Sequence, residues 1–277
     1  MAFLRYTSPP SPLRQIRSMV GSAQHEMARL LAEVLEPMLK RFSSHVVSDS
    51  FQFCDVLREY GVVQEDAFMC SFDVKNLFTN VPIDETIQIC LDNLYRSQDI
   101  KPPSIDKCLL MKLLVKSTSA FECSFNGRMY RQIDGVAMGS PLGPVLANIF
   151  LGYCETMIAE HRWLELYRRF VDGTFSVFVG KEKALEFLDC LNGLHPALRF
   201  TVEEEGDMKL PFLDVLVMKD MKRFGTTIYR KATFTGLYTQ WDSFCAPGGK
   251  IALIRSLALR AKRICSAEYL QGEIAQL

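Results

Sequence analysis

The strongest constraint in this chain is a short, mostly apolar run at residues 67–72 that stops at Asp73. It is too short for an independent helix and reads as a buried strand, so a sheet must form around it. Other segments supply that sheet. Phe121, Cys123 and Phe125 alternate ahead of Asn126-Gly127, a type I′ turn signal, and residues 128–133 form the return strand. Residues 167–171 and 174–179 are separated only by Asp172-Gly173, a hairpin turn by composition. Residues 199–203, 209–218 and 224–230 are also strand-like.

Helical periodicity fills most of the remainder. Ser22 is placed to cap a helix in which Met27, Leu30, Leu31, Val34, Leu35, Met38, Leu39 and Phe42 recur, with a kink expected at Pro37. A shorter helix covers 49–60. Residues 84–97 form another, with Ile87, Leu91, Leu94 and Tyr95 inward, and 105–117 a further one after Pro102-Pro103. Long apolar periodicity over 140–159 is followed by a helix at 181–192 with Leu185, Leu188 and Leu191 inward. The chain is helical again from about Gly249, and the Pro- and Ser-rich residues 1–13 read as an irregular arm. Helices, strand, helices, hairpin, helix, hairpin, helix, strands and helix make an α+β fold, an antiparallel sheet with helices on one face.

Composition narrows the class. The chain has 277 residues, 48% of them hydrophobic and 23% charged, enough to bury a core in one large or two ordinary domains. No apolar run approaches the ~18 residues of a membrane span, so no membrane partner is expected. The first residues run into Ser8-Pro9-Pro10 without an apolar core, which argues against a secretory signal. Nine scattered cysteines with no Cys-x-x-Cys pair indicate reduced thiols and an intracellular setting. The four histidines lack metal-ligand spacing, so no zinc site is expected. Net charge is zero but uneven: residues 219–263 hold ten basic side chains against Asp220 and Asp242. Such a basic lobe is either a solvated face or the footprint of a polyanion.

Two aspartates stand at special places. Asp73 ends the buried strand, and Asp172 sits in a tight turn. If the two strands are neighbours, both carboxylates meet at one sheet edge and offer hard oxygen ligands to Mg²⁺. A lone aspartate after a strand is more often a turn or cap residue, and spacing alone does not choose.

The surrounding residues carry a resemblance. Asp73-Val74-Lys75-Asn76-Leu77-Phe78, the Gly-bracketed Gly135-Val136-Ala137-Met138-Gly139-Ser140-Pro141 and Phe170-Val171-Asp172-Gly173 occur in the order of motifs A, B and C of reverse transcriptases. Residues 71–82, 129–142, 198–205, 210–215 and 228–238 resemble the Penelope-like retroelement family, and the likeness extends over about residues 13–270. Several long motifs in the right order are far more specific than one short pattern.

This resemblance implies a right-hand polymerase: an N-terminal arm and partial fingers at 1–66, a palm at 67–218, and a primer-grip exit and basic helical thumb at 219–277. It implies RNA-directed DNA polymerase activity, with an RNA template, a DNA primer and a dNTP as partners. Asp73 and Asp172 would be the catalytic residues and hold two Mg²⁺ or Mn²⁺ ions. Phe78 would be the steric gate against a 2′-hydroxyl, whereas without the motif around it a core aromatic would be the preferred reading. Gln132, Gly139 and Arg14 would meet the nucleotide, and residues 210–214 would form the primer grip. The family implies a nuclear location, with cytoplasm as the alternative.

The basic lobe gains a reading as well. At helical spacing, Ile251, Leu253, Ile254, Leu257, Ala258, Ala261, Ile264 and Cys265 share one arc, expected to pack inward. Arg255, Arg260, Lys262 and Arg263 fall opposite, and with Arg230 and Lys231 they would lie along a nucleic-acid backbone. Tyr229, Phe234, Tyr238 and Trp241 stand nearby to touch sugars or bases.

Three departures from the family stand out. Motif C normally reads Tyr/Phe-x-Asp-Asp, and here its fourth position is Gly173. Arg14-Gln15-Ile16 replaces the usual Arg-Pro-Ile, and much of the fingers and any following nuclease domain have no counterpart here. Two expectations follow: a working or weakened polymerase core, or a catalytically dead remnant that only binds nucleic acid.

Overall fold

A computed structural model of the chain describes residues 2–5, 14–17, 19, 21–119, 122–132, 134–158, 163–220 and 222–276. In chain order the first elements are β1 (Ala2–Arg5), β2 (Arg14–Arg17), α1 (Ala23–Arg41), α2 (Ser50–Glu59), β3 (Ala67–Val74), α3 (Leu77–Asn80), α4 (Ile83–Arg96) and α5 (Lys107–Thr118). Next come β4 (Glu122–Phe125), β5 (Arg128–Arg131), α6 (Leu142–Glu155), β6 (Leu164–Phe170), β7 (Gly173–Val179) and α7 (Lys181–Gly193). The last are β8 (Phe200–Glu204), β9 (Lys209–Phe212), β10 (Val215–Asp220), β11 (Arg223–Ile228), α8 (Pro247–Ile264) and α9 (Ala267–Ala275).

Local chemistry explains where the helices begin. Ser22 accepts from the amide of His25 at 3.2 Å, and Asp49 accepts from Phe51 and Gln52, both at 2.8 Å. Asp106 takes the amides of Cys108 and Leu109 at 2.9 and 3.1 Å. Each cap satisfies donors that a helix start leaves unpaired. The helical run of α1 passes through Pro37 without a break. At the β4–β5 turn both Asn126 and Gly127 have positive φ, +49° and +75°, as a type I′ turn requires.

The chain gathers into two compact units, each made of three stretches. One comprises Met1–His45, Val74–Glu160 and Asp189–Phe200. Here β1 pairs antiparallel with β2, so Ala2–Arg5 is a strand rather than part of an irregular arm; residues 6–13 of that arm lie outside the described ones. Helices α1, α4, α5 and α6 pack together. Ala28, Leu31, Leu35 and Met38 form the buried stripe of α1, while Leu30 stays exposed. Each large buried side chain contributes roughly 1.5–3 kcal/mol. Gly152 of α6 sits against the end of α1: a Cβ there would stand 2.5 Å from the carbonyl oxygen of Phe42 and 2.7 Å from its Cβ.

The other unit comprises Val46–Asp73, His161–Leu188 and Thr201–Leu277. It holds a four-stranded sheet in the order β6-β7-β3-β8 and a three-stranded meander β11-β10-β9. Strand β3 is buried almost throughout, as its apolar run demands. Below one face, Phe53 of α2 meets Phe175 and Phe212 edge-on at 5.0 and 4.8 Å. On the opposite face Phe72, Phe178 and Phe187 form a second aromatic set, with Phe178 and Phe187 5.2 Å apart. In the buried pair Lys219–Glu205 (2.9 Å), Glu205 also accepts from the amide of Met69 at 3.1 Å, tying the meander to β3.

Four expectations need correction. The single strand expected at 209–218 is two strands, broken at Leu213-Asp214, where Leu213 has φ +56°. In α7 the inward residues are Ala184, Phe187 and Leu191, and Leu185 is exposed. One helix face buries only one stripe, and the stripe that includes the large Phe187 ring is the one covered. The helix expected over 140–159 is α6, Leu142–Glu155, and residue 159 lies outside the described ones. Finally, α8 buries only Ala261 and Ile264, with Cys265 just beyond it. Ile251 and Ile254 of its apolar arc are exposed, because its buried residues lie at the C-terminal end, beside α2 and β11. Among the described residues, no helix is long and apolar enough to cross a membrane.

The segment after α8 is docked by polar contacts. Thr226 Oγ1 donates to the Ile264 carbonyl at 2.6 Å, and the Ser266 amide donates to the Thr226 carbonyl at 2.8 Å. Arg230 donates twice to Glu273, at 2.8 and 2.6 Å, and Thr227 Oγ1 donates to the same carboxylate at 3.2 Å. Hydrogen bonding to the Arg230 guanidinium holds the Glu273 carboxyl below its ordinary value of 4.5, against the opposing effect of burial.

Two stability outcomes are expected. Gly152→Ala gains up to about 1 kcal/mol of helix propensity, but the contact with Phe42 outweighs it, for a net loss of roughly 1–3 kcal/mol in urea unfolding. Glu273→Gln should cost roughly 1–3 kcal/mol at pH 7. A carboxyl lowered in the folded state stabilises above its unfolded value and loses that contribution as pH falls. Parent and Glu273→Gln should therefore converge in thermal melts run at pH values progressively below 4.5.

Candidate active site

Strands β3 and β7 run antiparallel with Asp73 directly opposite Gly173. Strands β6 and β7 form a hairpin in which Phe170 faces Gly173, so the two-residue loop is Val171-Asp172. Asp172 therefore adjoins the residue across from Asp73, and both residues stand at one end of neighbouring strands. Asp73 is exposed and Asp172 partly so. A Cβ built on Gly173 would lie 4.0 Å from Asp73 Oδ1.

The turn is shifted by one residue from the expected Asp172-Gly173. Val171 carries φ +56°, while Asp172 is on the negative side, the sign pattern of a II′ hairpin. A β-branched residue in this region is strained by roughly 1–3 kcal/mol, and such strain persists only where surrounding contacts over-determine it. Gly173 uses none of glycine's freedom, being an ordinary residue at the start of β7. The nearest atoms to its virtual Cβ are Phe212 Cε2 at 3.8 Å, Asp73 Oδ1 at 4.0 Å and the Phe170 carbonyl oxygen at 4.0 Å, all ordinary contacts. Neither backbone nor packing thus requires glycine where the motif has its second aspartate.

A second hairpin repeats the pattern beside it. Phe212 pairs with Val215 around Leu213-Asp214, with Leu213 at φ +56°. The expected primer-grip residues 210–214 are thus the end of β9 and this turn. Asp214 pairs with Arg260 at 3.1 Å.

The other predicted nucleotide residues lie in the helical unit. Phe78 is partly buried in the single turn α3. Gly135, at φ +71°, packs against it so tightly that a Cβ would meet Phe78 O and Thr79 Cα at 2.5 Å; the Val136 amide donates to the Phe78 carbonyl at 2.7 Å. The close backbone approach expected of this glycine-bracketed loop is therefore made, at Gly135, to the chain itself. Gly139 is exposed with φ +107°. Gln132 donates to the Asp134 carbonyl at 2.9 Å and lines a cavity of about 650 Å³ with Asp84, Glu85 and Arg131. Arg14 falls in β2, and its side chain lies outside the described residues.

The basic residues divide into two groups. Lys231, Arg255 and Lys262 are exposed. Arg230 is held by Glu273 and Arg260 by Asp214, while the Arg263 guanidinium lies 3.8 Å over the ring centre of Phe51. Phe234, Tyr238 and Trp241 are exposed, with Phe234 and Tyr238 edge-on at 6.1 Å.

Among the described residues no group of three or more His, Cys, Asp or Glu is gathered as a metal-ligand set. Two carboxylates are nonetheless within the number Mg²⁺ takes from protein when phosphates and water complete its shell. Two buried side chains that periodicity gave no reason to single out, Arg169 and Thr174, adjoin this end of the sheet. Their sequence signal was slight, an arginine and a threonine in a hairpin that also carries Glu165, Arg168 and Ser176.

Comparison with known proteins gives the family and the fold class. Residues 14–205 match the family described as reverse transcriptase (RNA-dependent DNA polymerase). No curated protein sequence is matched. Among solved structures, apo telomerase from Candida tropicalis truncated from its C-terminal domain superposes with a TM-score of 0.55 at 12% identity, over 76% of this chain and 52% of that one. Telomerase from Candida albicans, solved with a TWJ fragment of telomeric RNA, gives 0.54 at 14% identity over 87% and 42%. The BmCPV RNA-dependent RNA polymerase at its elongation state gives 0.55 at 14% identity over 96% and 25%. The chain thus spans about half or less of these polymerases, with which it shares a palm-type fold. By the extent of the family match, this chain belongs to the reverse transcriptase family.

Proposed function

We propose that the chain is the polymerase core of a Penelope-like retroelement, an RNA-directed DNA polymerase whose nucleotidyl transfer is severely weakened by Gly173. The observation that carries this reading is the meeting of Asp73 and Asp172 at adjoining strand ends, with glycine across from Asp73. Asp73 and Asp172 would hold Mg²⁺ or Mn²⁺. Such ions supply activation of the primer hydroxyl and neutralisation of the triphosphate. Two carboxylates suit one ion well, and the absence of a third weakens the hold on a second.

The remaining roles follow the motif positions. Phe78 is the gate that favours deoxynucleotides, Gln132 and Gly139 line the path of nucleotide and template base, and Arg14 meets the triphosphate. Lys231, Arg255 and Lys262 are exposed and have no carboxylate ion-pair partner among the described residues, and they serve the phosphate backbone of the template–primer duplex. Arg230 and Arg260, each held by a carboxylate, and the exposed Arg263, stacked on Phe51, support that surface. The telomerase structure solved with RNA supports an RNA template, and the retroelement assignment rests on residues 71–82, 129–142 and 228–238.

Primer extension on an RNA template with Mg²⁺ or Mn²⁺ tests the reading. The parent should extend barely, and Gly173→Asp should raise the rate by about tenfold or more, the scale expected for restoring a metal carboxylate. Vigorous extension by the parent would refute the weakening. Duplex binding should persist in the parent, weaken steeply with salt, and fall by about tenfold when Lys231, Arg255 and Lys262 are all changed to Ala.

A further inference from the structure

Arg169 and Thr174 face each other across β6 and β7, and both are completely buried. Arg169 Nη1 donates to the Val171 carbonyl at 3.0 Å. Thr174 Oγ1 accepts from the amide of Phe72 at 3.0 Å. Val171 is the residue before Asp172, and Phe72 is the residue before Asp73. One cross-strand pair of polar side chains therefore grips the backbone immediately ahead of each carboxylate. We propose that Arg169 and Thr174 are positioning residues that fix the separation and orientation of Asp73 and Asp172 for a shared divalent cation.

The physical case has three parts. Burying a guanidinium is costly, and Arg169 is buried with Nη1 committed to the carbonyl of the strained residue in the turn, while its Nη2 has no hydrogen-bond partner among the described residues. Val171 keeps φ +56° only while something holds it there, and the Arg169 bond is a fixed attachment on that peptide. The main chain of Arg169 is itself pinned, its carbonyl accepting from the Val47 amide at 2.9 Å, so the guanidinium reaches the turn from a stationary base. On the facing strand, the Phe72 amide is met by a side-chain oxygen. The placement of β3 at Asp73 is thus set by the Thr174 rotamer, which a β-branched residue holds narrowly.

The inference rests on the proposed metal-holding role of the two aspartates, and two separate readouts keep the questions apart. The first is amide hydrogen exchange by NMR on the full chain; the second is Mn²⁺ affinity by electron paramagnetic resonance. Thr174→Val keeps the shape and removes the acceptor, so Phe72 should exchange about tenfold faster or more, and Mn²⁺ should bind about tenfold more weakly. Thr174→Ser, which restores the oxygen, should return both to within about twofold of the parent. Arg169→Lys keeps the charge but not the fork, and should speed exchange at Asp172 and Gly173 while weakening Mn²⁺ by a similar factor. Parental Mn²⁺ affinity in Thr174→Val and Arg169→Lys would overturn the proposal, as would an equal loss in Thr174→Ser. If Thr174→Val does not fold, the Arg169→Lys comparison decides alone. If the parent binds no Mn²⁺, the metal-holding role falls, and unchanged exchange in the variants would overturn the positioning independently.

Discussion

The antiparallel pairing of β3 with β7 is the constraint on which everything else depends. Its register sets Ala67 opposite Val179 and Asp73 opposite Gly173. Side chains alternate strictly along a strand, so a slip of one residue would send Asp73 to the face of Phe72 and Phe178 and bury a carboxylate among aromatic rings. The register is held from both faces. Phe175 and Val177 pack toward Phe53 and Phe212, and Phe178 packs toward Phe72 and Phe187. Apolar packing of the sheet thus fixes where the acids stand, and the acids themselves contribute nothing to that packing.

Much of this was legible in the residues. The mostly apolar run at 67–72 announced a buried strand, and Asn126-Gly127 announced the β4–β5 turn, because each signal is local and has one good structural solution. The caps at Ser22, Asp49 and Asp106 are of the same kind. What escaped sequence reading was decided by tertiary contact. The β6–β7 loop was displaced because composition favours Asp172-Gly173, whereas the ladder places the positive φ on Val171, a residue that seldom tolerates it. The break at Leu213-Asp214 escaped for the same reason: the positive φ falls on Leu213, an apolar residue that seldom adopts it, and a lone aspartate within a strand-like run is a weak turn signal. The inward stripe of α7 was misread because Leu185 and Phe187 are both apolar, and only the neighbours decide which is covered.

The candidate site shows a similar split. Asp73 and Asp172 were found from motif context, and the fold brings them together. Gly135, given no role of its own from the sequence, has a packing one: its missing side chain admits the backbone of Phe78 and Thr79. The basic residues of the C-terminal lobe were read as one surface, but ion pairs and ring stacking divide them, since a charge count carries no information about partners. Arg169 and Thr174 carried no periodic or motif signal, and their importance is visible only as buried polar atoms with specific backbone partners.

Gly173 has a consequence for how readily the chain can vary. Its neighbours stand at ordinary contact distances, its φ is unexceptional, and the strands on either side keep an intact register. Nothing around the position requires glycine. A single nucleotide substitution can interconvert glycine and aspartate codons, so a form with aspartate at 173 is one reversible step away and needs no compensating change elsewhere.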